Sequence, residues 1–116
     1  MNVAIVGCRK FDQYEIVRDK VLSIFRKNVM PSQIISGAAT GVDTLAKRFA
    51  FENDIPLQEY PAEWKKYGKS AGPIRNQKIV NASDMVIAFP SQSSRGTWNT
   101  VRLAKEKGIP VHVFKV

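Results

Sequence analysis

The chain has 116 residues, 44% of them hydrophobic, with 18 basic and 10 acidic side chains and a net charge of +8. That length suits one domain, residues 1–116, around one core, and no apolar run approaches the roughly 20 residues of a membrane helix. One cysteine, Cys8, and one histidine, His112, exclude an internal disulfide and a Cys/His zinc site, so no metal or cofactor is implied.

The single cysteine fits a reducing, cytoplasmic setting. The basic balance favours anionic partners and is uneven along the chain. Residues 31–60 carry 2 basic and 4 acidic groups, whereas residues 61–80 carry 5 basic and 1 acidic.

Apolar runs alternate with amphipathic stretches. Residues 2–6 (Asn-Val-Ala-Ile-Val) predict a first strand rather than a leader peptide. Residues 12–27 predict a helix with Val17, Val21, Ile24 and Phe25 on one face, and Asp12 and Glu15 have the spacing of a capping pair. Residues 33–36 predict a second strand, and residues 41–53 a helix with Val42, Leu45, Ala46, Phe49 and Ala50 on its apolar stripe.

A third strand is expected at 57–60 and a third helix at 73–82, with Pro73 in its favoured first position. The unbroken apolar run 85–89 reads as a strand buried on both faces. Residues 97–107 predict a helix stopped by Gly108, and residues 111–116 a last strand in which His112 is structural. This alternation predicts an α/β, Rossmann-like three-layer αβα sandwich with a five-stranded parallel sheet.

Ligands of such sheets bind beyond the carboxyl ends of the strands, which selects the loops 7–11, 37–40, 61–72 and 90–96. In the first, Gly7 is followed by Arg9 and Lys10, placed either to hold a phosphate or to sit in solvent. Cys8 beside them is a small half-buried residue, since no nearby histidine activates it. The second, Ser36-Gly37-Ala38-Ala39-Thr40-Gly41-Val42-Asp43, is a strand–turn–helix junction that aims backbone N–H groups and a helix dipole at one spot. Thr40 and Asp43 have N-cap and N3 spacing, so the same junction also reads as a capping box.

The third loop is the longest and is expected to be a lid or a partner surface. Its Gly68-Lys69-Ser70 imitates the end of a P-loop, but Glu63 stands where the first glycine is needed. Trp64 and Tyr67 are placed to stack on a base or to pack a lid. Gly72-Pro73-Ile74-Arg75-Asn76 then opens a helix with an arginine in the first turn, against the dipole, which points to a bound anion. In the fourth loop, Arg95-Gly96-Thr97 forms another helix entrance able to cradle phosphate.

Taken in order, Gly7-Cys8-Arg9, Ser36 to Asp43, Ala71-Gly72-Pro73-Ile74-Arg75-Asn76 and Ser94-Arg95-Gly96-Thr97 resemble the YspA-like family of the SLOG superfamily. That superfamily of Rossmann-like nucleotide-binding domains includes the Lonely Guy phosphoribohydrolases, and the resemblance spans nearly the whole chain. It implies a site for a nucleotide or ADP-ribose-like small molecule, used for sensing or sequestration. Ligand contacts would come from Gly7, Arg9, Lys10, Ser36, Gly37, Ala38, Thr40, Gly41, Asp43, Gly72, Arg75, Asn76, Arg95, Gly96 and Thr97. It also implies a homo-oligomer, with Trp64 and Trp98 as natural contacts.

Hydrolytic members of the superfamily cleave the base–ribose bond with an arginine at a helix start and a glutamate after a Gly-Gly-x-Gly-Thr loop. Arg75 matches the arginine, but Trp98, Asn99 and Thr100 follow Gly96-Thr97, with no carboxylate there. A nucleoside-monophosphate N-glycosidase is therefore the alternative to a binder. The 35–43 junction is similar as well to that of the DNA-processing protein A family, which makes single-stranded DNA binding a second alternative.

Overall fold

The structure, a computed structural model, describes residues 1–25 and 29–116. Five strands, β1 (Asn2–Gly7), β2 (Gln33–Ser36), β3 (Leu57–Glu59), β4 (Met85–Phe89) and β5 (Val111–Val113), form one parallel sheet in the order β3-β2-β1-β4-β5. The expected α/β sandwich is what forms. β4 is buried at all five positions, as a central parallel strand covered on both faces must be.

Helices α1 (Tyr14–Ile24) and α2 (Val42–Glu52) cover one face, where Val17, Val21, Val42, Ala46 and Phe49 pack on Val3, Ile5 and Ile34. Helices α4 (Ala71–Ala82) and α5 (Arg95–Lys107) cover the other, where Ile79, Val80, Val101 and Ala104 pack on Ala4, Val6 and Ile35. Alternate residues of β1 thus feed two separate cores, the period-two consequence of a strand buried on both sides.

Several boundaries differ from those expected, each for a tertiary reason. Helix α1 starts at Tyr14, and Asp12 and Glu15 do not form a capping pair; Gln13 is the cap residue and makes no side-chain bond. The start is fixed by Tyr14, which is buried, donates to Glu52 at 2.9 Å and lies under the Arg48 guanidinium. The expected end of this helix, residue 27, lies outside the described residues.

Helix α2 is entered through Gly41 rather than capped by Thr40. The Thr40 hydroxyl donates instead to the Arg9 carbonyl oxygen at 3.4 Å.

The 61–72 segment is not an open loop. It folds into the short helix α3 (Trp64–Tyr67) and a 3-10 turn (Gly68–Ser70) that runs directly into α4. α4 therefore begins at the buried Ala71, and Pro73 is its third residue, still among the N–H groups a helix leaves unpaired. α5 begins at Arg95, two residues early, so Arg95, Gly96 and Thr97 form its first turn.

β5 ends at Val113, though Phe114 and Val116 still donate to Ala88 and Pro90. His112 lies in this edge strand, in register with Ile87, away from the loops described below.

The strand order reverses between β1 and β4, whose ends are in register at Gly7 and Phe89. Their following loops diverge to opposite faces of the sheet and leave a crevice between them.

Candidate functional site

The crevice is a cleft of about 370 Å³. Gly7 to Lys10 and Ser91 to Gly96 form two of its walls, and Gly37, Asp43, Arg75 and Asn76 close it from the side of β2 and α4. Its floor is the apolar pair Val6 and Ile79. Loops distant in sequence meet here because β1 and β4 are neighbours in the sheet.

The β2–α2 junction is occupied largely by the protein itself. Val42 N–H donates to the Cys8 carbonyl oxygen at 3.1 Å, and Ala39 N–H donates to Asp43 Oδ2 at 3.1 Å. The carboxylate of Asp43 thus takes the anion position that the junction offers.

The two glycines serve this close packing. A Cβ on Gly41 would run into the backbone of Cys8 and Arg9, and Gly41 also has a positive φ of 72°. A Cβ on Gly37 would displace the Arg75 guanidinium and crowd Asp43 Oδ2 at 2.9 Å.

Arg75 is the hub of the site. Its Nη1 donates to the Gly37 carbonyl oxygen at 2.7 Å and its Nε to Asn76 Oδ1 at 2.9 Å. Asn76 in turn donates from Nδ2 to the Gly96 carbonyl oxygen at 3.2 Å and to Asn99 Oδ1 at 3.0 Å. One chain of hydrogen bonds therefore joins β2, α4 and α5. Because α4 begins at Ala71, Arg75 is its fifth residue rather than part of its first turn, and its guanidinium is engaged within the protein by a bond to a strand-end carbonyl.

Asp43 is 7% exposed. Burial pushes its carboxyl up to about 6, against the Ala39 N–H bond and the positive charges of Arg75 and Arg9, with Glu59 adding to the rise. Burial lowers the affinity of Arg75 for its proton; Asp43 opposes that shift and Arg9 adds to it. Cys8, half-buried, also lines the cleft. Burial raises its pKa, but hydrogen bonds from the Lys10 backbone and from Ser91 and Ser94 outweigh burial and leave it below its ordinary value.

The entrance of α5 differs from that of α2. The N–H groups of Gly96 and Thr97 have no acceptor among the described residues. Ser94, the cap residue, spends its hydroxyl on Ser91, whose N–H donates to it at 3.0 Å. Beside these donors stand three exposed cations, Arg9, Lys10 and Arg95, none of which forms an ion pair among the described residues.

A model of the YspA, cpYpsA-related SLOG family matches residues 1–67. The chain belongs to that family. The matched segment carries β1, the Gly7–Lys10 wall and the β2–α2 junction, while Arg75, Asn76 and the α5 entrance lie beyond it. Gene 61 protein of Mycobacterium phage D29 is 31% identical over 119 residues, which cover 97% of this chain and 95% of that one.

The family's fold extends to larger proteins. DNA processing protein A of Streptococcus pneumoniae superposes with a TM-score of 0.72 at 24% identity, over 97% of this chain and 49% of that one. The Helicobacter pylori protein of the same name, whose structure concerns single-stranded DNA binding, gives 0.68 at 22% identity, over 97% and 64%. The chain thus spans about half the length of the pneumococcal protein.

Of the residues expected at the family's site, Gly7, Arg9, Lys10, Gly37, Asp43, Arg75, Asn76, Arg95, Gly96 and Thr97 line the cleft. Ser36, Ala38, Thr40, Gly41 and Gly72 do not line it. Ser36 is buried behind the junction and accepts from Ala38 N–H at 3.3 Å. Gly72 faces the Trp64 ring.

The lining also includes Cys8, half-buried as expected, and Ala39, Ser91, Ser93 and Thr100, with Asn99 behind Asn76, none of which was expected at the site. The run of serines before Arg95 is the signal that marks the second wall. Glu63 is outside the cleft and faces Lys78 at 3.9 Å, which leaves Asp43 as the carboxylate of the lining.

Proposed function

We propose that the cleft binds a nucleotide or nucleotide-derived, ADP-ribose-like ligand. The observation that carries this reading is the α5 entrance, with two unengaged N–H groups beside Arg9, Lys10 and Arg95. Donors at the start of a long helix, with exposed cations around them, suit a phosphate or diphosphate. Asp43, with an elevated pKa, supplies an acceptor for a ribose hydroxyl deeper in the cleft. The apolar patch at Val6 and Ile79 suits the face of a sugar or base. A volume near 370 Å³ lies in the range of small-ligand sites.

Binding is favoured over hydrolysis of the glycosidic bond. The carboxylate of the lining is held by Ala39 N–H at the α2 entrance, and Trp98, Asn99 and Thr100, none of them an acid, directly follow Gly96-Thr97. Calorimetry with AMP, ADP-ribose and cyclic ADP-ribose tests the reading. Micromolar affinity for a phosphate-bearing ligand that drops at least tenfold in Arg95→Ala is expected; no heat from any of them at millimolar concentration would refute it. Free base released from AMP and lost in Arg75→Ala would move the assignment to an N-glycosidase.

Single-stranded DNA is a second reading, favoured by the net charge of +8 and by the fold shared with a protein whose structure concerns binding of that polymer. An affinity for oligothymidylate that falls steeply with salt is its signature.

A further inference from the structure

Residues 61–80 contain five cations and one acidic side chain, Glu63, which faces Lys78 at 3.9 Å. Lys65, Lys66 and Lys69 are exposed on α3 and the following turn, and Trp64, which precedes them, is 53% exposed. Lys66 Nζ lies 5.0 Å from the Tyr67 ring centroid, so the aromatic and cationic groups are interleaved. The Trp64 ring rests over Gly72, with its Cη2 3.5 Å from where a Cβ would stand. Gly72, Arg75 and Asn76 are spaced i, i+3 and i+4 and share one face of α4. The exposed indole and the cleft wall therefore lie along one stripe of one helix.

We infer that the α3 turn is a contact surface for single-stranded nucleic acid, continuous with the cleft. The inference rests on the second reading above and extends it to residues outside the cleft. Exposed lysines that outnumber their acidic neighbours track phosphates, and a solvent-facing indole stacks on an unpaired base regardless of its identity. A duplex does not present its bases in this way. An anionic membrane would meet the lysines and the indole but does not follow a stripe into a concave cleft.

The test is fluorescence anisotropy with a labelled oligothymidylate of about 12 nucleotides across a salt series, alongside calorimetry with AMP. Two variants are compared with wild type, Trp64→Ala and the triple Lys65→Gln/Lys66→Gln/Lys69→Gln. Both alter exposed side chains, and circular dichroism confirms that they fold. The expected result is an affinity about tenfold lower for Trp64→Ala and a log–log salt slope shallower by about 2 for the triple variant. AMP binding is expected to stay unchanged in both.

Wild-type affinity and slope in both variants would overturn the α3 surface while leaving DNA binding in place. No oligonucleotide binding by wild type would overturn the second reading together with it. Loss of AMP and oligonucleotide binding in step would show that the turn supports the cleft rather than contacting a strand. Lysine-dependent binding to phosphatidylserine vesicles without oligonucleotide binding would assign the surface to membranes.

Discussion

Arg75 Nη1 donates to the Gly37 carbonyl oxygen at 2.7 Å across 38 residues of sequence. That bond fixes the N-terminal half of α4 against the C-terminal end of β2, and through Asn76 it reaches the α5 entrance. Arg75 and Asn76 together thus tie the β2 end to the α5 entrance across the cleft.

Replacing this arginine by lysine keeps the charge but cannot serve both acceptors, since an ammonium lacks the planar fork. Arg75→Lys is expected to lose about 1–2 kcal/mol by urea denaturation, the usual cost of leaving a part-buried acceptor unpaired. Its loss of AMP or ADP-ribose affinity should exceed what the lower stability explains, since the cleft walls would no longer be tied. A variant as stable and as tight-binding as wild type would remove Arg75 from this role.

Gly41→Ala introduces a Cβ against the Cys8 and Arg9 backbone at a positive φ. A loss of about 3 kcal/mol in unfolding free energy, measured by urea denaturation, is expected. Gly108 is an internal control. Its φ of +84° is also positive, but a Cβ there meets nothing within 4 Å, so Gly108→Ala should cost only about 1 kcal/mol. Equal effects at the two glycines would show that close packing of the loops is not what demands Gly41.

Asp43 gives the protein a pH signature. Its folded-state carboxyl is raised from 3.8 to about 6, so the stability it contributes is fully present below pH 3.8 and is lost as pH rises through 6. A shift of this size corresponds to roughly 3 kcal/mol at pH 8. Asp43→Asn retains an oxygen for Ala39 N–H and avoids the buried charge. It should match wild type near pH 4 and exceed it progressively up to pH 7, as measured by urea titrations across that range. A difference independent of pH would sink the assignment.

The Cys8 thiol has its pKa lowered from 9.0 despite burial, because hydrogen bonds favour its thiolate. The rate of iodoacetamide alkylation should therefore rise with a midpoint below pH 9. Ser94→Ala should move that midpoint upward by removing one donor, and a saturating cleft ligand should slow the reaction. A midpoint at or above the free-thiol value would contradict the hydrogen-bonded thiolate.

Much of the fold was legible in residue order alone. The unbroken run Met85–Phe89 and the stripe Val42, Ala46, Phe49 and Ala50 fix a buried strand and an amphipathic helix through local periodicity. Alternation of such segments leaves little but a parallel sheet, and the loops at its carboxyl ends follow. Arg9, Arg75 and Gly96 were identifiable for that reason, as residues of unusual type at strand-to-helix junctions.

Tertiary structure decided what those residues do. No periodicity shows that Asp43 would take the anion position at α2, that Thr40 would bond to Arg9 rather than cap the helix, or that Ser91 and Asn99 would complete the site. The first is a local choice among competing backbone donors, and the others join the loops after β1 and β2 or the helices α4 and α5, so their energies depend on burial that local sequence does not encode. The order of residues determined where a site must be. The packing of Gly37 and Gly41 against neighbouring walls determined which of its donors are engaged by the protein and which face the cleft.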